Sequence, residues 1–516
     1  MKIDERNESL SERNVDDVAA SVIGEFAEFC RIPRESGSEE KITEYLKERL
    51  TAGGFTPVTD GSGNLICDIP ASPGCENSPL TVLQGHTDMV CAVGDGSYSP
   101  EKDPVIWQIL REEKSGRDIL CTDGRSSLGA DCGIGDAVLM WLIFHSGFTH
   151  GPIRLLMTVE EELGLAGAKK LDASVFEGAS YVVNVDGFSW GRLIAGSAGG
   201  SRETYRSEAH LVHLSEDEVS GDSCLALELG LFHFFGGHSG YDIDKGRANV
   251  IKLLNSLLYF MKRDGIEYRL SGYNGGIGHN VIPSEVSATV VIKRKDLLPF
   301  QRLACVFMQR LIDDYEESDP EGMFRYNEVG LPEYLLEQEQ QDKLIRFIEN
   351  LSDGVLYYME EIEGVPDTSS NLGMIRFDSR TAEKDGGVKI ELRSFVRSMT
   401  PARHDEVISA HRREAQFAGF REEIDEYGTW LFHRENRLIS TAAEIYRDMT
   451  GQEPEITAVH VGLEPSAFSE KAPHLQMINV GMDIADPHTV HERIYIDTIR
   501  PFALFMKQLL EKISSF

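Results

Sequence analysis

From Val15 to Leu50 apolar positions recur at helical spacing, interrupted at "RIPRESGSEE", where Pro33 and Gly37 break the pattern and Ser38 stands where a second helix would be capped. Two helices are predicted there. The texture then changes: "PLTVLQGHTDMV" (79–90), "GPIRLLMTVEEE" (151–162) and "SYVVNVDG" (180–187) are short apolar runs ending in acids or histidine. Helix-like stretches such as "DAVLMWLIFHSGF" separate them. Strands alternating with helices predict an α/β sheet covered on both faces, and such sheets bind ligands beyond the carboxyl ends of their strands. The polar residues stand at those ends.

Near Arg192 the pattern shifts again. "CLALELGLFHFF" (224–235) reads as a strand, "GRANVIKLLNSLLYFMKRD" (246–264) as a helix, and "SEVSATVVIKR" (284–294) and "GGVKIELRSFV" (386–396) as strands. This predicts a second domain over 193–428, inserted between two parts of the first, 1–192 and 429–516. The first domain resumes in a helix near 436–450 and the strand-like "HLQMINVG". A length of 516 residues suits two cores better than one.

Composition narrows the partners. Fifty-one Lys and Arg against 85 Asp and Glu give a formal charge of −34, a field that repels nucleic acid and anionic lipid. The longest apolar run, "AVLMWLIF" (137–144), is too short to span a membrane, and "MKIDERNESLSERN" lacks the apolar segment of a signal peptide. A cytoplasmic protein is expected. The eight cysteines form no C-x-x-C pair and are expected as free thiols.

Catalytic zinc sites use nitrogen and oxygen ligands with one open position, and paired metals need a bridging carboxylate. In "QGHTDMV", His86 and Asp88 lie two apart, so an extended backbone points both the same way and lets Asp88 orient the imidazole. The plain alternative is a surface histidine beside an acid. "SLGADCGIGDA" (127–137) puts Asp131 in a turn eased by Gly129, Gly133 and Gly135, where it can span two cations or merely cap the next helix. Cys132 beside it reads as a buried thiol or a soft ligand. Glu161 and Glu162 would project to opposite sides of an extended segment, one binding metal while the other faces water. Three solvated loop acids, Glu160 included, are the simpler reading. Asp186 in "NVDG" is a further ligand or a turn acid, and either His488 or His491 in "DPHTVHERIYID" can close the site. No G-x-S-x-G elbow, Walker A loop, strand-borne G-x-G-x-x-G or H-E-x-x-H helix occurs, and "GGHSG" has the wrong spacing for the first of these.

In their order and spacing, "FCRIPRESGSEE", "GHTDMV", "LGADCGIGDA", "TVEEELGLAGA", "NVDG", "GGHSGYDIDKGRANVIKLL", "NVIPSE", "SSNLG", "RSFVRS", "HVGLEPSAF" and "DPHTVHE" resemble the dinuclear zinc exopeptidase family that includes carnosinases, aminoacylases and aminoacyl-histidine dipeptidases. The likeness runs over nearly the whole chain. It implies a catalytic domain with a central mixed sheet flanked by helices, interrupted by an α+β lid or dimerisation domain. It also implies a homodimer and two zinc ions, with manganese or cobalt as substitutes. The implied activity is hydrolysis of unblocked dipeptides, Xaa-His and β-alanyl-histidine among them. The same metal machinery serves N-acyl amino acid deacylation, and a non-catalytic metal- or peptide-binding homologue would lack a ligand or the base.

Carried over by position, the resemblance places His86 and Asp186 on one metal, Glu162 and His488 on the other, and Asp131 between them, with Glu161 as general base and Asp88 behind His86. "HTVHE" overlies the family's H-S-P-x-E pattern, so His488 rather than His491 takes the ligand position and Glu492 its glutamate. His238 in "GGHSG" resembles the histidine that stabilises the oxyanion, often from a partner subunit, and Arg393 in "RSFVRS" the binder of the substrate carboxylate. Asn280 and His460 fall in segments expected to line the substrate cleft. The chain departs from the pattern at Cys132, usually Asp or Asn, at "TV" in place of Ser-Pro after His488, at Pro465 and at His279. The last two lie in segments on the substrate side and bear on which dipeptides are preferred.

Overall fold

The computed structural model describes residues 15–94, 96–214, 223–382, 387–434 and 436–516. The opening segment read for a signal peptide and Gly386 of the 386–396 strand lie outside the described residues. Two compact units emerge: one joins the segment ending at Ser197 to Trp430–Val459 and Leu463–Phe516, the other joins Ala198–Thr429 to His460–Gly462.

The first unit is built on an eight-stranded mixed sheet. Its order is Val58–Thr59, Leu65–Ile69, Ile153–Thr158, Leu80–His86, Ala179–Gly187, Gln476–Gly481, Arg192–Ser197 and Glu455–Val459. Leu80–His86 runs parallel to both Ile153–Thr158 and Ala179–Gly187, so all three deliver their carboxyl ends to one edge. Burial explains the apolar runs: Leu83, Leu155 and Val183 enter a core with Val22 and Phe26 of helix Asp17–Cys30, Val138 and Leu139 of Gly133–Phe144, and Phe502 and Leu509 of Ile499–Ile513. On the opposite face Phe176 packs against Phe468 of helix Glu464–Lys471, their ring centroids 5.0 Å apart.

Helix Gly133–Phe144 lies so close to the sheet that a Cβ at Gly135 would meet the Val185 carbonyl and one at Gly85 would meet Asp136. Only Gly129 of the three glycines in this stretch has positive φ, at 69°. Gly133 and Gly135 therefore serve close approach, not a turn. The helix at Glu40–Ala52 also differs from expectation at its start: Glu39, not Ser38, occupies the N-cap without a side-chain cap bond. Glu39 instead accepts from Gly37 N and Glu160 N, tying this end to the glutamate run.

The second unit carries a ten-stranded antiparallel sheet whose centre is Val286–Lys293, Tyr268–Gly276, Pro366–Asp378, Gly387–Ser398 and Gly199–His213. Its core joins Leu227, Val290 and Leu392 of the sheet to Leu254 and Leu257 of helix Val250–Arg263 and Phe347 of Gln338–Asn350. All eight cysteines are free thiols. Among the described residues no helix is long and apolar enough to cross a membrane.

Candidate metal centre

At the carboxyl edge of the first sheet, acids and histidines from five chain segments converge. His86 is fully buried at the end of its strand, and its Nδ1 donates to the Asp88 carbonyl at 3.2 Å with the Asp88 carboxylate at 3.3 Å. That leaves Nε2 facing Asp131 Oδ1 at 3.1 Å and Asp186 Oδ1 at 3.6 Å. The other Asp131 oxygen lies 2.8 Å from His488 Nε2, which is also 2.8 Å from Glu162 Oε1. One carboxylate thus touches His86 through one oxygen and His488 through the other, with Asp186 on the same His86 nitrogen and Glu162 on the same His488 nitrogen. Oε1 of Glu162 and Oδ1 of Asp186 are buried and face His488 and His86 only in ion-pair contact, with no aligned hydrogen-bond donor, which suits acceptors that a cation could share. His86, Asp131 and Glu162 form one group with ligand spacing, and His86, Cys132 and Asp186 another.

His488 sits in a loop at φ 62°, between the short strands Ile484–Ala485 and Arg493–Tyr495 that pair with each other. His491 is exposed in the same loop. Cys132 occupies the N-cap position of helix Gly133–Phe144, so Asp131 is not an acidic cap, and the Asp131–Cys132 peptide is cis.

The glutamates are not laid out on an extended strand. Ile153–Thr158 ends first, Glu160 takes φ 53°, and the chain turns so that Gly164 N and Leu165 N both donate to the Glu161 carbonyl. The amides of Glu161 and Glu162, each 3.1 Å from a different oxygen of Asp88, hold this turn against the His86 loop. Asp88 therefore holds the amides of Glu161 and Glu162 as well as His86, where its spacing in the sequence indicated His86 alone.

Crowding of acids sets the electrostatics. Burial, then Glu162, pushes the Glu161 carboxyl well above the usual range; burial, then Asp131, does the same for Asp186. Asp131 moves the other way, because hydrogen bonds from His488 and His86 outweigh its burial. His488 is held up to about 11 by Asp131 and Glu162 against the effect of burial.

Two supporting residues were not assigned roles from sequence. Glu492 accepts four backbone N–H groups, from Leu128 and Gly129 on Oε2 and from Ala130 and Asp131 on Oε1, at 2.8 to 3.2 Å. Arg34 is buried and donates to the carbonyls of Thr87, Asp88 and Gly129, at 2.6 to 3.2 Å, binding the His86 loop to the Asp131 loop. The only sequence signal for either was its place in a family motif.

The remaining candidates belong to the second unit. His238, on the two-residue strand paired with Val281–Ile282, accepts from Gly240 N and Tyr241 N on Nδ1 at 3.1 and 3.2 Å. A neutral imidazole so engaged carries its hydrogen on Nε2, the form that donates to a developing oxyanion. Asn280 is exposed, and its carbonyl accepts from Ser239 N at 2.8 Å, next to His238. Arg393 is half-buried and pairs with Glu391 at 2.7 Å. His460 is buried with Nε2 2.7 Å from Ser369 Oγ, and burial with Arg397 nearby pushes it down to about 3. His279, hydrogen-bonded to Thr204 at 3.0 Å, is pushed down to about 4 by burial and Arg393.

The sequence matches the profile described as Peptidase family M20/M25/M40 over residues 82–512. It is 28% identical over 490 residues to the cytosol non-specific dipeptidase of Escherichia coli (strain K12), covering 95% of this chain and 96% of that one. Aminoacylhistidine dipeptidase from Vibrio alginolyticus superposes with a TM-score of 0.81 at 28% identity, over 97% of each chain. A tripeptidase from Staphylococcus aureus shares the fold, with a TM-score of 0.53 and 15% identity over 97% of this chain and 100% of that one.

Proposed function

The chain belongs to peptidase family M20/M25/M40, and on that premise we propose that it is a metal-dependent dipeptidase acting on unblocked dipeptides, Xaa-His and β-alanyl-histidine among them. The observation that carries the reading is the two-sided contact of Asp131, with His86 on one oxygen and His488 on the other, while Asp186 and Glu162 meet those same two histidines. The names of its full-length relatives, a cytosol non-specific dipeptidase and an aminoacylhistidine dipeptidase, support the substrate class and a cytoplasmic setting.

In this reading His86 and Asp186 hold one divalent cation, Glu162 and His488 the other, and Asp131 both; zinc suits the nitrogen and oxygen donors. When bound, the pair supplies positive charge that polarises the scissile carbonyl and makes water more acidic. Glu161 takes the proton of the attacking water and passes it to the leaving amine. Its burial among acids raises its proton affinity, which suits a group that must first accept and then donate. Asp88 keeps the His86 imidazole in the tautomer that frees Nε2. His238 donates from Nε2 to the oxyanion as part of a homodimer, and Arg393 receives the substrate carboxylate, as the resemblance implies. The inserted domain, 193–428, would then act as lid and dimerisation module.

The test is a panel of free and N-acetylated dipeptides assayed on chelator-treated protein after readdition of zinc, manganese or cobalt. Restored cleavage of the free dipeptides alone is expected. Preferred cleavage of the acetylated forms would make it a deacylase, and no cleavage with any metal would remove the enzymatic reading. Sedimentation of the full chain checks the homodimer.

A further inference from the structure

Three buried amide side chains, Gln84, Asn184 and Asn479, stand on neighbouring strands of the first sheet and point head to tail. Asn479 Nδ2 donates to Asn184 Oδ1, Asn184 Nδ2 donates to Gln84 Oε1 at 2.5 Å, and Gln84 Nε2 donates to Glu464 Oε2. Thr158 Oγ1 donates to the same Glu464 oxygen at 2.9 Å. Every donor runs toward Glu464, which opens helix Glu464–Lys471, and a helix amino end favours an anion.

Glu464 is fully buried, and its other oxygen, Oε1, accepts no hydrogen bond. Its hydrogen-bond partners are neutral, and among the described residues no lysine, arginine or histidine lies within ion-pair distance of it. A buried carboxylate with only neutral donors is short of compensating positive charge. Both donor strands lead to the candidate metal centre. Gln84 precedes His86 by two on one strand, so the two share a face, and Thr158 lies in register opposite His86. Burial pushes Glu464 up to about 7, while His86 pulls it down and Asp88 adds to the rise. The charge that Glu464 lacks is the kind a divalent pair beside His86 supplies.

We propose that Glu464 is a buried anion held behind His86 by the amide relay, and that its charge strengthens cation binding at the cluster of His86, Asp131, Glu162, Asp186 and His488. This rests on reading that cluster as a divalent-metal site. The proposal separates charge from scaffolding. A scaffold residue stabilises the protein with and without metal, whereas an uncompensated anion weakens the metal-free fold and strengthens metal binding.

Full-length wild type, Glu464→Gln and Glu464→Asp are compared in two measurements: thermal unfolding after chelation, and zinc affinity by competition with a chromogenic chelator. Glu464→Gln keeps an acceptor for Gln84 and Thr158 but removes the charge. It is expected to raise the metal-free Tm and to weaken zinc binding roughly tenfold or more. Glu464→Asp keeps the charge and should bind zinc more tightly than Glu464→Gln. Equal zinc affinity in wild type and Glu464→Gln, equal losses in the two variants, or a lowered metal-free Tm in Glu464→Gln would each overturn the proposal. Wild type that binds no zinc would remove the metal reading itself, and the proposal with it.

Discussion

The amide of Asp131 donates to Oε1 of Glu492 at 3.2 Å, the last of four consecutive backbone N–H groups that this carboxylate receives. Both oxygens are needed. An amide in its place offers one acceptor and turns an NH2 group toward two N–H donors. Glu492→Gln should therefore cost about 2–4 kcal/mol of stability and lower metal content, since the loop placing Asp131 loses its anchor. Thermal unfolding and metal analysis read both effects, and an unchanged Tm would show that the loop holds itself.

Glu161→Gln keeps the size of the side chain and leaves its amide free to bind Asp88. Metal content and fold should persist, while kcat falls by roughly 10²–10⁴. Unchanged turnover would remove Glu161 as the base.

His488 reaches both Asp131 and Glu162, whereas His491 is exposed. His488→Ala should lose one metal equivalent on dialysis that His491→Ala retains. The reverse ranking in metal analysis would assign the ligand to the other histidine.

Asp136, buried on the helix behind His86, is pushed up to about 7 from 3.8 by burial, with Glu464 and Asp88 adding to the rise. The fold thus binds this proton more tightly than the unfolded chain, a contribution complete below pH 3.8 and lost as pH rises through about 7. Asp136→Asn removes the loss. In chelator-treated protein its gain over wild type should grow from about pH 4 to a plateau near pH 8, worth about 2–4 kcal/mol. A pH-independent difference in Tm would contradict this.

Much of the site was legible because strand ends are. Periodicity located Leu80–His86, Ile153–Thr158 and Ala179–Gly187, and the residues finishing or following these runs supply His86, Glu162 and Asp186, while Asp131 and His488 come from loops. The turn in the glutamate run is not legible in sequence, since nothing in "TVEEELG" announces that Glu160 takes φ 53°. Gly133 and Gly135 carried a similar ambiguity. A glycine needed for close approach to Val185 looks in sequence like a glycine needed for a turn.

The sequence by itself determined the alternation of strands and helices, the acids and histidines at the strand ends, and through ordered motifs the family. These follow from local periodicity and from the donor types that metal chemistry requires. Only the tertiary structure decided that Glu492 anchors the Asp131 loop, that Arg34 joins it to the His86 loop, and that Glu464 ends a relay of amides beneath His86. Glu492 and Leu128 are 364 residues apart, and Gln84 and Glu464 are 380 apart. A carboxylate's role is set by the donors and charges around it, and those are gathered only when strands and helices distant in the chain pack together.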